Sequence, residues 1–259
     1  MATALILGDI TGRSRVAVRM LTHVLESRGH EALALPTALI SNTLNLGRHV
    51  ALDTTPYLLE SLAAWEALGL RWDCAMIGYV TGLAQAKALC DIADASRARG
   101  AWELVDPILG DGGRMYNAVT AEQAEGFRLL LRHADIVTPN LTEACLLTDT
   151  PYDAALADSG VQEGMLRALS GDGERSVLIT SAATGDGQSA VLGFDARTGE
   201  RFAVPFERAK ERRFGTGDLF SALLADALLR ELTLKEATRE ANDGVGRAIS
   251  GEDAGILPE

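Results

Sequence analysis

Along most of the chain, short apolar runs that stop at glycine or at a polar residue alternate with stretches whose apolar positions recur every three to four residues. Segments 4–7, 32–35, 74–77, 102–105, 136–137 and 176–179 are short and mainly apolar, which predicts buried strands. The helical period predicts helices over 16–27, 82–97, 121–132, 141–147, 161–169, 216–230 and 234–249. Another is expected to open at Thr55-Pro56, with a capping hydroxyl and a first-turn proline. It should place Leu58, Leu59, Leu62 and Trp65 on one face and close at Gly69. Segments 190–194 and 201–204 read as a hairpin around Arg197-Thr198-Gly199, and 41–53 as a loop or edge excursion.

Strands alternating with helices imply a mostly parallel sheet covered on both faces, with ligands bound beyond the carboxyl ends of the strands. Polar and glycine residues gather at those ends: Gly8-Asp9, Gly78-Tyr79, Asp106, Asn140 with Glu143, and Thr180-Ser181. No Pro-rich, Ser-rich or single-charge run divides the 259 residues, so one domain over 1–259 is expected.

Charge narrows the partners. With 24 Lys and Arg against 36 Asp and Glu, the net of −12 disfavours nucleic acid and anionic membrane. It also means that a polyanionic ligand would need backbone amides and a metal ion as local positive devices. Cys74, Cys90 and Cys145 form no Cys-x-x-Cys pair and read as reduced thiols, and the four histidines lack metal-binding spacing. The N-terminal segment lacks a basic stretch ahead of its apolar run, and no run reaches the ~20 residues of a membrane helix. A cytoplasmic location is the expectation.

The most informative segment is Arg213-Phe-Gly-Thr-Gly-Asp-Leu-Phe220. Two glycines bracket a threonine at the start of an apolar helix. There the amides of Gly215, Thr216, Gly217 and Asp218 can face an anion, with the helix dipole in support. A carboxylate beside that row can take a proton from an attacking hydroxyl. A plain glycine turn with Asp as a cap reads equally well from this segment alone. Asp106-Pro107 and Asn140-x-x-Glu143 form a second constellation. Its carboxylates suit Mg²⁺, directly or through water, although Glu143 also fits the first turn of a helix for electrostatic reasons alone. Gly110-Asp-Gly-Gly-Arg-Met-Tyr116 lacks the Gly-Lys-Ser/Thr ending of a P-loop and reads as a flexible cover near phosphate. Gly185-Asp186-Gly187 reads as a turn.

Taken in order, the blocks at 105–111, 135–143, 177–181 and 215–221 resemble those of the pyridoxal kinases, within the ribokinase-like superfamily. Ser41-Asn42 and Gly78-Tyr79 fall where that family has similar pairs. The resemblance implies a three-layer α/β/α sandwich with a mostly parallel central sheet. It also implies a homodimer, and transfer of the ATP γ-phosphoryl to the 5′-hydroxyl of a B6 vitamer. By position, Asp218 would be the base, Gly215, Thr216 and Gly217 the anion hole, and Asp106 and Glu143 the Mg²⁺ region. Tyr116, Asn140, Thr180 and Ser181, with Asp106 and Glu143, would line the nucleotide. Ser41, Tyr79 and Asp9 would face the vitamer. The requirement for a monovalent cation stays open.

Three places depart from that family, among them the loop Thr11-Gly12-Arg13-Ser14 after the first strand. The family usually has serine at the end of the first strand, where Asp9 stands here, and threonine two places after the Ser-Asn pair, where Leu44 stands. Asp9 can pair with a protonated ring nitrogen, accept from substrate hydroxyls, or cap a strand end. A kinase for hydroxymethylpyrimidine or another small alcohol or sugar is therefore an alternative. A non-catalytic nucleotide-binding regulator is a second, disfavoured because a binder needs the amides but not Asp218.

Overall fold

The computed structural model describes residues 1–43, 48–117, 119–183, 188–207, 213–253 and 256–257. Leu44 and the turn at 185–187 lie outside them. The strands are β1 (Thr3–Thr11), β2 (Glu31–Ile40), β3 (Ala51–Asp53), β4 (Cys74–Ile77), β5 (Trp102–Val105), β6 (Gly110–Asp111), β7 (Arg114–Met115), β8 (Ile136–Val137), β9 (Ser176–Ala183), β10 (Ser189–Asp195) and β11 (Glu200–Phe206). The helices are α1 (Val18–Ser27), α2 (Thr55–Ala67), α3 (Leu83–Arg97), α4 (Ala121–Leu130), α5 (Leu141–Leu147), α6 (Tyr152–Ala157), α7 (Ser159–Ser170), α8 (Thr216–Leu229) and α9 (Leu234–Ser250).

Nine strands make one sheet in the order β11-β10-β9-β8-β5-β4-β1-β2-β3. Its centre is parallel, while β3 and the β9-β10-β11 meander pair antiparallel at the two ends. Alternation along each strand divides the core. Leu5, Leu7, Ala75, Ile77 and Val105 face a layer built from α2 to α7. Ala4, Ile6, Cys74, Met76 and Leu104 face α1, α8 and α9. The result is the expected three-layer sandwich. Phe127, fully buried from α4, contributes roughly 1.5–3 kcal/mol through its burial.

Sharp helix starts are encoded locally. Thr120 with Gln123, Asn140 with Glu143 and Thr233 with Glu236 each close a reciprocal capping box. Segment 41–53 ends in the edge strand β3, in line with an edge excursion. Two expectations are corrected. The Thr54 hydroxyl that precedes α2 donates to the Pro36 carbonyl, and no side-chain hydroxyl caps that helix. Leu59 is exposed while Leu58 and Leu62 are buried. Helix α6, one and a half turns long, has too few residues to show a period.

Strand β2 runs on through Pro36, which cannot donate to a ladder. The sheet absorbs this with a bulge: Gly8 pairs with Pro36, but Asp9 pairs with Ala38, leaving Thr37 as the extra residue. The Thr37 carbonyl accepts from Gln85 Nε2 at 2.8 Å, and its hydroxyl donates to the Tyr79 carbonyl at 2.6 Å. This irregularity sits where β1 reaches the candidate site.

Candidate functional site

A cleft opens at the carboxyl ends of β1, β4 and β5, walled by the starts of α1 and α8. Gly8, Asp9, Gly78, Tyr79, Asp106, Ile108, Asp218 and Ser221 line it, together with Ala17 and Leu21. The structure thus brings Asp9, Tyr79, Asp106 and Asp218 together from four separate segments.

Helix α8 begins as its sequence requires. Gly215 precedes it in the left-handed conformation (φ 79°), which a side chain would strain. The first intrahelical bond of this turn runs from Leu219 N–H to the Gly215 carbonyl at 2.9 Å. Among the described residues, no acceptor takes the N–H groups of Thr216, Gly217 or Asp218. A Cβ added at Gly217 would meet nothing within 4 Å, so the turn is open to an approaching group. Asp218, in that first turn, accepts a hydrogen bond from the Ala17 N–H. Ala17 has φ 49°, an uncommon conformation for a residue with a side chain, and this aims its N–H at the carboxylate.

Asp106 lies at the floor, just past β5. It accepts from Ser221 Oγ at 2.7 Å, one turn along α8 from Asp218. The Thr138 hydroxyl, buried without a partner of normal hydrogen-bond geometry, lies near enough to favour the Asp106 anion. Glu143 is 3% exposed, and its carboxylate serves main-chain donors: Asn140 N–H at 2.8 Å and Leu109 N–H at 3.2 Å. Asn140 in turn accepts from Glu143 N–H and donates to the Gly110 carbonyl at 2.9 Å. Together they hold the root of the β6–β7 ribbon. The glycine-rich segment expected as a flexible cover is this hairpin, with Gly112 and Gly113 both at positive φ.

The remaining candidates sit around this centre. Ser181 and Thr180 end the parallel part of β9, where Ser181 Oγ accepts from Leu141 N–H at 3.1 Å. Tyr116 follows the ribbon and donates its N–H to the Leu109 carbonyl. Ser41 lies apart from the residues that line this cleft. Its exposed hydroxyl donates to Asn42 Oδ1 at 2.7 Å and accepts from Val50 N–H at 2.9 Å, so it closes the connection before β3 and does not line the cleft. Sequence reading missed Ala17 and Ser221 as cleft groups, and Thr138 as a buried support behind Asp106. Ser221 carried a usable signal, three residues after Asp218 on one helix face. Ala17 did not, because it acts through its backbone.

The electrostatics follow from burial. Asp9 and Asp106 are each pushed up to about 7, first by desolvation and then by the like charge of Asp218, with hydrogen bonds partly offsetting the rise. Burial, with Asp106 beside it, holds Glu143 well above the carboxylate range, and burial also raises Asp218. No basic side chain among the described residues pairs with any of the four. Among the described residues no group of three acidic, histidine or cysteine side chains is placed to hold a metal ion by itself, so a hard cation here would draw most of its oxygen ligands from phosphates and water, with Asp106 and Glu143 the carboxylates nearest to contribute.

The sequence profile of the phosphomethylpyrimidine kinases matches residues 23–256. A pyridoxine/pyridoxal/pyridoxamine kinase of Bordetella bronchiseptica is 31% identical over 229 residues, covering 84% of this chain and 78% of its own. A Schizosaccharomyces pombe protein assigned as a pyridoxal kinase is 31% identical over 139 residues, 51% of this chain. The match spans 44% of that relative, less than half its length. Pyridoxal kinase from Lactobacillus plantarum superposes with a TM-score of 0.84 at 27% identity, covering 98% of this chain and 90% of its own.

Proposed function

Since this chain belongs to the phosphomethylpyrimidine kinase family, within the ribokinase-like superfamily, we propose that it transfers the γ-phosphoryl group of Mg-ATP to the 5′-hydroxymethyl group of a B6 vitamer. The observation that carries this reading is the start of α8. An acidic side chain on the cleft stands beside N–H groups that have no acceptor among the described residues.

In this mechanism Asp218 accepts the proton of the acceptor hydroxyl as its oxygen attacks. Burial strengthens Asp218 as a base, while the Ala17 N–H keeps the anion accessible. The amides of Gly215, Thr216 and Gly217 stabilise charge on the moving phosphoryl group. Asp106 and Glu143 would hold Mg²⁺, Glu143 through water because main-chain donors already occupy its oxygens. Such an ion, when bound, would offset negative charge on the phosphates. Tyr116, Thr180 and Ser181 line the nucleotide, and Asn140 acts chiefly by fixing the ribbon above it. Tyr79 walls the acceptor side together with Asp9. The hydroxyl of Ser41 needs a shift of its loop to join them.

We place this activity in one cytoplasmic domain that works as a homodimer. Among the described residues no helix is long and apolar enough to cross a membrane. Exposed Leu39, Val50 and Leu52 at the β3 edge supply an apolar surface of the kind a second copy would cover.

An ATP-consumption assay across pyridoxal, pyridoxine, pyridoxamine, hydroxymethylpyrimidine and several sugars tests the reading. Turnover with the vitamers is expected. Turnover confined to hydroxymethylpyrimidine, the reading favoured by the matched profile, would replace the acceptor. ATP binding without consumption for any alcohol would leave a regulator of the same fold.

A further inference from the structure

Tyr79 stands outside the two large cores of the sandwich. Its ring packs in a satellite cluster with Ala38 and Ile40 of β2 and with Ile108. Its place on the cleft wall therefore depends on polar ties to the loop that it opens. The Thr37 hydroxyl, at the bulge, donates to the Tyr79 carbonyl at 2.6 Å. Gln123 Nε2 donates to the Val80 carbonyl at 2.7 Å. The Thr81 N–H donates to Gln85 Oε1 at 2.9 Å, and the Thr81 hydroxyl donates to Asp53 at the end of β3. Gln85 joins the two sides of this arrangement. It is the third residue of α3, whose cap, Gly82, offers no side chain, so Gln85 reaches back over the start of its own helix. Its Nε2 donates to the Thr37 carbonyl and to the Thr55 hydroxyl, each at 2.8 Å. Gln85 is 2% exposed, so water has little access to replace these bonds.

We infer that Gln85 is a positioning residue for the acceptor alcohol: it clamps the β2 bulge to the loop after β4 and so fixes Tyr79 on the acceptor side of the cleft. This rests on the kinase reading above, in which Tyr79 walls that side, and adds the group that sets it there. The clamp acts on the tyrosine twice. It holds Thr37, whose hydroxyl anchors the Tyr79 backbone, and it holds the bulge from which β2 carries Ala38 and Ile40 against the ring. Without the Gln85 amide, the Thr81 N–H and the Thr37 carbonyl lose these partners, and the loop must move to satisfy them. None of these bonds involves the start of α8, Asp106 or the β6–β7 ribbon, so the nucleotide side keeps its geometry.

The test compares Gln85→Met, which keeps the length and removes the amide, with Thr37→Val and Thr37→Ser. Steady-state kinetics are measured with pyridoxine and ATP, and Mg-ADP binding counts the folded sites. Gln85→Met and Thr37→Val are each expected to raise KM for pyridoxine roughly tenfold, with kcat per site and KM for ATP within about threefold of the wild type. Thr37→Ser restores the hydroxyl and should bring KM back to within about threefold. Gln85→Met combined with Thr37→Val should be little worse than either alone, because both break one chain of contacts. A glutamine with a merely structural role would lower the melting temperature and the number of folded sites while leaving KM for pyridoxine unchanged. That result, or equal losses toward pyridoxine and ATP, overturns the inference. If Gln85→Met fails to bind Mg-ADP, Gln85→Glu carries the comparison: it keeps an acceptor for the Thr81 N–H, loses the donor to Thr37, and should also raise KM for pyridoxine. If the wild type consumes no B6 vitamer, the proposed acceptor fails on its own, and the same comparison is made with the alcohol that is consumed. Amide hydrogen exchange reads the clamp without substrate. Exchange over 79–82 should quicken by about tenfold or more in the Gln85 variant, and unchanged exchange there overturns the inference.

Discussion

Glu103 offers a test of the fold's electrostatics away from the cleft. It lies in β5 with 0% exposure, on the face covered by α3, and neither carboxylate oxygen has a hydrogen-bond partner. Asp135, whose carboxylate accepts the Glu103 N–H at 2.8 Å, adds a like charge. Burial and then this neighbour push the Glu103 carboxyl up to about 9. The folded protein therefore keeps the proton at neutral pH and the unfolded chain does not. A raised acid favours the folded state only where the unfolded chain is protonated as well. Stability is thus lost as pH climbs from about 4.5 towards 9, at about 1.4 kcal/mol per pH unit. By pH 7 the loss reaches about 3 kcal/mol. Glu103→Gln keeps the shape and leaves a similar unpartnered polar group, but it does not titrate. The variant should match the wild type within about 1 kcal/mol at pH 5 and exceed it by about 3 kcal/mol at pH 7. Urea unfolding of both proteins from pH 5 to 9 reads this directly. Contributions from Asp9 and Asp106 are common to the two and cancel in the difference. A difference that does not vary with pH, or a wild type that is the more stable at pH 8, would show that Glu103 is ionised and partnered.

Two further outcomes concern the site's supports. Ser221→Ala removes the hydroxyl that orients Asp106. It should lower kcat/KM for ATP by about tenfold with circular dichroism unchanged, and wild-type kinetics would mean that other contacts hold Asp106. In Gly110→Ala the new Cβ would collide with the Arg114 carbonyl oxygen, so the β6–β7 ribbon must open. KM for ATP should rise several-fold and proteolysis near 110–115 should quicken, whereas unchanged values would remove the ribbon from nucleotide binding.

The parallel core was legible in the sequence because both faces of its strands are buried. Segments 74–77 and 136–137 are unbroken apolar runs and 102–105 is apolar apart from Glu103, and they match β4, β5 and β8 residue for residue. Strands β1 and β2 extend beyond their expected ends because Gly8, Asp9, Pro36 and Thr37 break the pattern. Those residues read as a terminus in one dimension and form a bulged continuation in three. The cleft divides in the same way. Asp106 and Asp218 stood out because a strand end and a helix start are local features. The link between them runs through Ser221, and the support from Ala17 depends on a backbone angle that no side chain announces. Ser41 was the least legible from sequence, because a serine that faces an acceptor and a serine that closes a loop look alike until the position of the Val50 N–H is known.

The central claim is that the Asp218 carboxylate removes a proton at the place where phosphoryl transfer occurs. Replacing it with Asn keeps the size and the α8 amides while abolishing the base. Single-turnover kinetics of Asp218→Asn, with ATP affinity measured in parallel, should show a nucleotide Kd close to that of the wild type and a chemical step slower by about 10²-fold or more. A chemical step within about threefold of the wild type would contradict the account.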